Sequence, residues 1–169
     1  MARVPDLSVE DLAEADRDLL KRPIALHKAL TNSPKAARAF SGLGQFIRYG
    51  SRLDPRLREL AILQVGWQAR SPYEWSHHVK IGKDFGVSHA DILGLIAESE
   101  GRDSGLEPLA KLVLLAAREA AAGPGVSEGT YKALAAQFDH ELMVDLVVEL
   151  ESLVQVDLVE VVEVVVPVV

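Results

Sequence analysis

LDPRLRELAILQVGWQARSPYEWSHHVKIGKDFGVS, running from Leu53 to Ser88, is the stretch whose reading decides the fold. Asp54 followed by Pro55 is a helix start, a capping side chain ahead of a proline at the first helical position. After Glu59 the run LAILQVGW is apolar almost all round, as in a helix surrounded by protein on every side. The spacing predicts that central helix over about 55–69, a tight Ala-Arg-Ser turn, and a second helix over about 72–86 opened by Ser71-Pro72 and closed by Gly86.

Outward from this pair the periodicity stays helical. Ser8 with Asp11 suits a cap, and Leu12, Ala15, Leu19 and Leu20 recur at helical spacing until Pro23. Further helices are expected over about 24–31, from Pro34 to Gly50, from Ser88 toward Ile96, over about 106–122 and over about 127–137, with a polar loop at 98–105. From Asp139 the residues Met143, Val147, Leu150, Val154, Leu158, Val161 and Val165 step by three or four, which fits a long helix. The closing VVEVVVPVV is β-branched enough to suit a strand or a frayed end as well. The reading is all-α, one domain over 1–169, with the characteristic core at about 53–96 and an atypical tail, rich in Val and Glu, at about 139–169.

Composition removes several classes of function. A chain of 169 residues can bury a core without a disulfide or structural metal. A net charge of −7 and a pI near 5.2 argue against nucleic acid as a partner. There is no cysteine, which removes thiolate metal sites and thiol redox chemistry within this chain. No signal-like start or uncharged membrane-length run is visible, so a cytoplasmic protein without a membrane partner is expected. Beyond Lys132 the only formal charges on side chains are acidic, and that segment is expected to seek basic groups within the first 58 residues or on a neighbouring subunit.

Three side chains carry the candidate chemistry. At about 100° per residue, His78 shares a helix face with Glu74, Ile81, Gly82 and Phe85, pointing inward, whereas His77 falls outward near Tyr73, Lys80 and Asp84. Glu59 sits on the buried helix and needs a partner or a raised pKa. A buried carboxylate beside an imidazole can pass a proton, the requirement of general acid–base catalysis. Structural roles fit the same residues: a capping box of Ser71 with Glu74, a core histidine at 78, and a local ion pair of Glu59 with Arg56 or Arg58. The Glu59, Glu74 and His78 spacing matches no strong metal motif, and no metal or cofactor is expected.

The quoted stretch resembles the carboxymuconolactone decarboxylase family, which includes the alkylhydroperoxidase AhpD-like proteins; upstream, ALHKALTNSPKAARAF resembles the family's helix ahead of the core motif. In the peroxidase branch the pattern is a Glu, eleven residues, Cys-x-x-Cys, three residues and His. The same spacing gives Glu59, Ser71, Glu74 and His78, so both cysteine positions are changed and the disulfide-cycling reaction is lost, although a peroxiredoxin-type family label persists. Ser71 is then a cap first, since an alcohol is too weak an acid to be ionised by a helix terminus. The decarboxylase branch needs no thiol. The resemblance implies a cofactor-free lyase acting on a small carboxylated lactone or related acid, with Glu59, Glu74 and His78 catalytic and with Ser71, Tyr73, Trp75, Trp67 and His77 contacting substrate. It further implies a homo-oligomer, commonly a trimer or hexamer. The competing expectation is a non-catalytic oligomeric scaffold or small-ligand binder that kept the fold and lost its thiols.

Overall fold

The computed structural model describes residues 4–154, which are helices and connecting turns with no strand among them. They group into two compact units, 4–50 and 51–154.

The first unit holds two short 3₁₀ segments, Val9–Asp11 and Glu14–Leu20, then α1 (Ala25–Leu30) and α2 (Pro34–Gln45). The continuous helical reading of residues 8–22 is corrected here. The chain breaks at Leu12, which is extended, and at Ala13, which is not helical (φ −56°, ψ 147°), and the tighter 3₁₀ turn brings Asp16 and Asp18 to one arginine. Arg38 of α2 holds both carboxylates at 2.9 Å and also donates to the Ala15 carbonyl, a local gain that offsets the poorer geometry of the 3₁₀ turn. The expected helix to Gly50 stops being α at Gln45 and finishes as a π turn, Phe46–Gly50.

In the second unit, α3 (Pro55–Gln68) is the central helix, and α4 (Pro72–Asp84), α5 (His89–Ser99), α6 (Pro108–Ala122) and α8 (His140–Val154) pack around it; α7 (Glu128–Ala135) lies on α6 and α8. Every residue from Leu57 to Gly66 is buried, as the all-round apolar pattern requires. Leu60 and Leu63 of α3 meet Leu95, Val113, Leu114, Leu146 and Leu150 in one core. The Asp54 carboxylate accepts from Leu57 N–H at 3.0 Å, starting α3 as expected. Helix α5 runs three residues past Ile96, and the polar loop begins correspondingly later, after Ser99.

The α8 stripe is also corrected. Met143, Leu146 and Leu150 face the core, whereas Val147 is 43% exposed. A 143, 146, 150 register lets the same helix present Asp145 to Ser51 Oγ at 2.6 Å and to Arg52 N–H at 3.2 Å. Arg52 also pairs with Asp139 and Glu141, so this acidic segment finds basic groups in its own chain. Leu158, Val161, Val165 and the helix-or-strand question at the C-terminus lie outside the described residues.

The turn between α3 and α4 fixes the geometry of everything that follows. Ser71 N–H donates to Gly66 O at 3.0 Å and Arg70 N–H to Trp67 O at 3.1 Å, a reversal that puts Arg70 at φ +52°. A residue with a Cβ is held there in the left-handed region at a cost of about 1–2 kcal/mol. Two glycines allow the close approach of the paired helices. A Cβ on Gly66 would lie 3.3 Å from Glu74 Cβ, and one on Gly82 would lie 3.2 Å from Val87 side-chain atoms and 3.7 Å from Glu59 Cβ.

Candidate functional site

Glu59 lies near the start of α3, pointing toward α4, with 1% of its surface exposed. Midway along α4, His78 is 8% exposed. Its Nδ1 is 2.8 Å from Glu59 Oε2, and on the other side of the ring its Nε2 is 3.5 Å from Glu74 Oε2. The imidazole thus lies between two carboxylates, one sealed in the core and one half-buried. Glu59 and Glu74 face opposite ring nitrogens, so the three do not converge on one point. Among the described residues no group of three or more His, Asp or Glu side chains is arranged to hold a metal ion.

The second oxygen of Glu59 is also engaged. Arg58, 2% exposed, donates through Nη2 to Glu59 Oε1 at 3.2 Å, and its guanidinium carbon sits 4.5 Å from the Phe85 ring centroid. The local ion pair and the histidine contact are therefore both present, on different oxygens. Arg56 points elsewhere, to Asp91 and Glu107. Burial acts to raise the Glu59 pKa, but the bond from His78 and the charges of His78 and Arg58 outweigh it. The net result holds the carboxyl below its ordinary range. The buried acid thus meets its need with partners rather than with a raised pKa.

An ionised Glu59 is an acceptor only, so the hydrogen on His78 must sit on Nδ1 whenever the ring is neutral. The Nε2 lone pair is then presented to Glu74. A proton on that side can belong to the ring or to the Glu74 carboxyl, and moving it between them changes no charge on Glu59. At 3.5 Å the Glu74 contact is an ion-pair distance rather than a close hydrogen bond, and a small side-chain movement closes or opens it.

Half of the expected capping box is seen directly: Ser71 Oγ accepts from Glu74 N–H at 3.3 Å. The Ser71 N–H donates to Gly66 O, while the Glu74 carboxylate is directed to His78. Ser71 is itself 4% exposed. Trp67 and Trp75 pack with ring centroids 5.2 Å apart at 58°, against the core. His77 departs from the outward position expected of it. It is half-buried, stacked at 5.7 Å and 9° on Tyr73 one turn earlier and edge-on to His78 at 5.5 Å, because side chains four apart on a helix are neighbours. Phe85 and Gly82 were legible only as members of His78's helix face. Their parts, carrying the Arg58 cation and letting α4 approach Glu59, depend on contacts between helices.

No helix of the described residues is long and apolar enough to cross a membrane. No curated protein and no solved structure matches the chain significantly. Residues 34–103 match the model of the carboxymuconolactone decarboxylase family. That match runs from α2 through α5 into the loop beyond it and contains Glu59, Ser71, Glu74 and His78. Over residues 34–103 the chain is therefore similar to the carboxymuconolactone decarboxylase family.

Proposed function

We propose that the protein is a decarboxylase- or lyase-type enzyme acting on a small carboxylated unsaturated lactone or related acid, with protons moved by the relay of Glu59, His78 and Glu74. The observation that carries the reading is the imidazole held between a sealed carboxylate at 2.8 Å and a half-buried one at 3.5 Å. The thiol route of the peroxidase branch is closed, because the chain contains no cysteine.

Loss of CO₂ breaks the bond to the substrate carboxylate and leaves its electron pair delocalised into the lactone carbonyl as a dienolate. A proton must then be delivered to carbon. In this scheme it comes from the side of the relay shared by the His78 ring and Glu74, and it is restored from solvent. Glu59 holds the ring tautomer and stabilises the imidazolium when it forms, while Arg58 anchors Glu59 from its other oxygen. In this scheme Trp67, Trp75 and Tyr73 on the same two helices supply apolar and aromatic surface, with His77 and Ser71 as polar neighbours.

The test is CO₂ release from a panel of carboxylated butenolides by the wild type, His78→Gln and Glu74→Gln. Turnover is expected in the wild type, loss of at least a hundredfold in His78→Gln, and a smaller loss in Glu74→Gln. Equal rates in the wild type and His78→Gln would overturn the relay. No turnover of any panel member by the folded wild type would favour the scaffold or ligand-binding alternative.

A further inference from the structure

On the far side of α3 from the relay, Gln64 is fully buried and accepts two hydrogen bonds on Oε1, from Ser99 Oγ at 3.0 Å and Arg118 Nη1 at 3.1 Å. Its Nε2 has no hydrogen-bond partner among the described residues. Flipping the amide would turn its N–H groups toward the guanidinium, so the orphaned donor is fixed by its neighbours.

Arg118 lies on the wall of an open groove of about 440 Å³ between the C-terminal end of α5, the following loop and α6. Leu106, Pro108, Leu112 and Leu115 make the rest of that wall largely apolar, and Glu98 and Lys111 complete it. The groove's charges are unequally matched. Lys111 is held by Glu98 at 3.2 Å and Asp103 at 3.3 Å. Arg118 is half-buried, no carboxylate lies within ion-pair distance of it among the described residues, and only its bond to neutral Gln64 fixes it. Burial pushes its pKa below the usual arginine range, with the charges of Glu98, on the same wall, and Glu119 only partly opposing the effect. A partly desolvated guanidinium with most of its five donors uncommitted is the geometry that receives a planar carboxylate side-on.

We propose that this groove is a binding site for a small organic monocarboxylate with an apolar body, its carboxylate on Arg118 and its hydrocarbon part against Leu112 and Leu115. Arg118 is a single cation with no carboxylate at ion-pair distance among the described residues, which suits a monoanion, and Glu98 on the same wall disfavours a dianion such as phosphate. The volume suits a compact ligand. The site is separate from the relay and stands whether or not the decarboxylase reading does.

The full-length wild type is titrated with benzoate and with its neutral counterpart benzamide, following backbone amide shifts by NMR. Benzoate is expected to bind with a Kd on the order of 1 mM and to shift Leu112, Leu115 and Arg118. Benzamide and the Arg118→Gln variant are expected to bind at least tenfold more weakly. Arg118→Lys, which keeps the charge and loses the planar fork, should fall between, and it serves as the mutational arm if Arg118→Gln does not fold. Equal affinity for benzoate and benzamide, shifts confined to Trp67 and Trp75, no saturable shift by about 20 mM, or wild-type affinity in the arginine variants would each overturn the proposal.

Discussion

Replacing Glu59 by Gln tests the buried charge network with little change of shape. The substitution removes a carboxylate that is 1% exposed and engaged at 2.8 Å by His78 and at 3.2 Å by Arg58. Charge-assisted hydrogen bonds contribute about 1.5–3 kcal/mol each. Leaving a buried ion unpaired costs about 3–5 kcal/mol. Two effects act the other way: the carboxylate's own desolvation cost disappears, and the amide oxygen still accepts one bond. The net loss is expected on the order of 3 kcal/mol, equivalent to roughly 6–12 °C in Tm for a chain of this size. Urea unfolding followed by tryptophan fluorescence is a suitable assay, since both tryptophans, Trp67 and Trp75, flank the α3–α4 turn. Lys132→Ala is the control. Its Glu128 partner and the lysine are both over 70% exposed, and a change below about 0.5 kcal/mol is expected. The sign with pH is fixed. Glu59 has a lowered folded pKa, so its contribution is complete above its unfolded value near 4.5 and is lost as pH falls through the folded one. The wild type's advantage over Glu59→Gln should therefore shrink as pH falls below about 4.5. A Glu59→Gln protein within about 0.5 kcal/mol of wild type at pH 7 would refute the reasoning.

Other perturbations have comparable handles. Arg56 and, less strongly, the Ser88 donors hold the Asp91 carboxyl at about 2, so Asp91→Asn should cost on the order of 2 kcal/mol at neutral pH. That difference should be lost between about pH 3.8 and 2 in acid-unfolding curves, because the folded pKa is the depressed one. Gly82→Ala inserts a Cβ 3.2 Å from Val87 and should destabilise by about 1–3 kcal/mol in the same urea assay. The cost should be larger than for Gly44→Ala, whose Cβ meets nothing within 4 Å. Arg70→Gly relieves a left-handed backbone at φ +52° and should stabilise by up to about 1 kcal/mol; a loss of stability would mean the side chain contributes more than the strain costs.

Much of the second unit was legible because its signals are local. Asp54-Pro55 and Ser71-Pro72 place the starts of α3 and α4, and the all-round apolar run after Glu59 marks the central helix without reference to any partner. The inward position of His78 followed from the 3.6-residue repeat alone. What periodicity could not supply is the choice between competing partners. Residues 8–22 carry α-like spacing, yet the clasp of Arg38 on Asp16 and Asp18, about twenty residues away, selects 3₁₀ turns. Val147 and Leu146 are equally apolar, and the Asp145 bonds to Ser51 and Arg52 accompany the register that buries only one of them. His77 meets Tyr73, the neighbour its helix face implied, but is half-buried rather than exposed. Arg118 carries no sequence signature at all, because its interest comes from what does not reach it.

The relay itself is tested most directly by proton-coupled ¹⁵N NMR of the His78 imidazole in the wild type and Glu59→Gln. The expected result for neutral His78 is a hydrogen on Nδ1, strongly deshielded and slow to exchange because Glu59 accepts it 2.8 Å away in the core. In Glu59→Gln that resonance should move upfield and exchange faster. A neutral ring carrying its hydrogen on Nε2 in the wild type, or identical His78 signals in the two proteins, would contradict the relay.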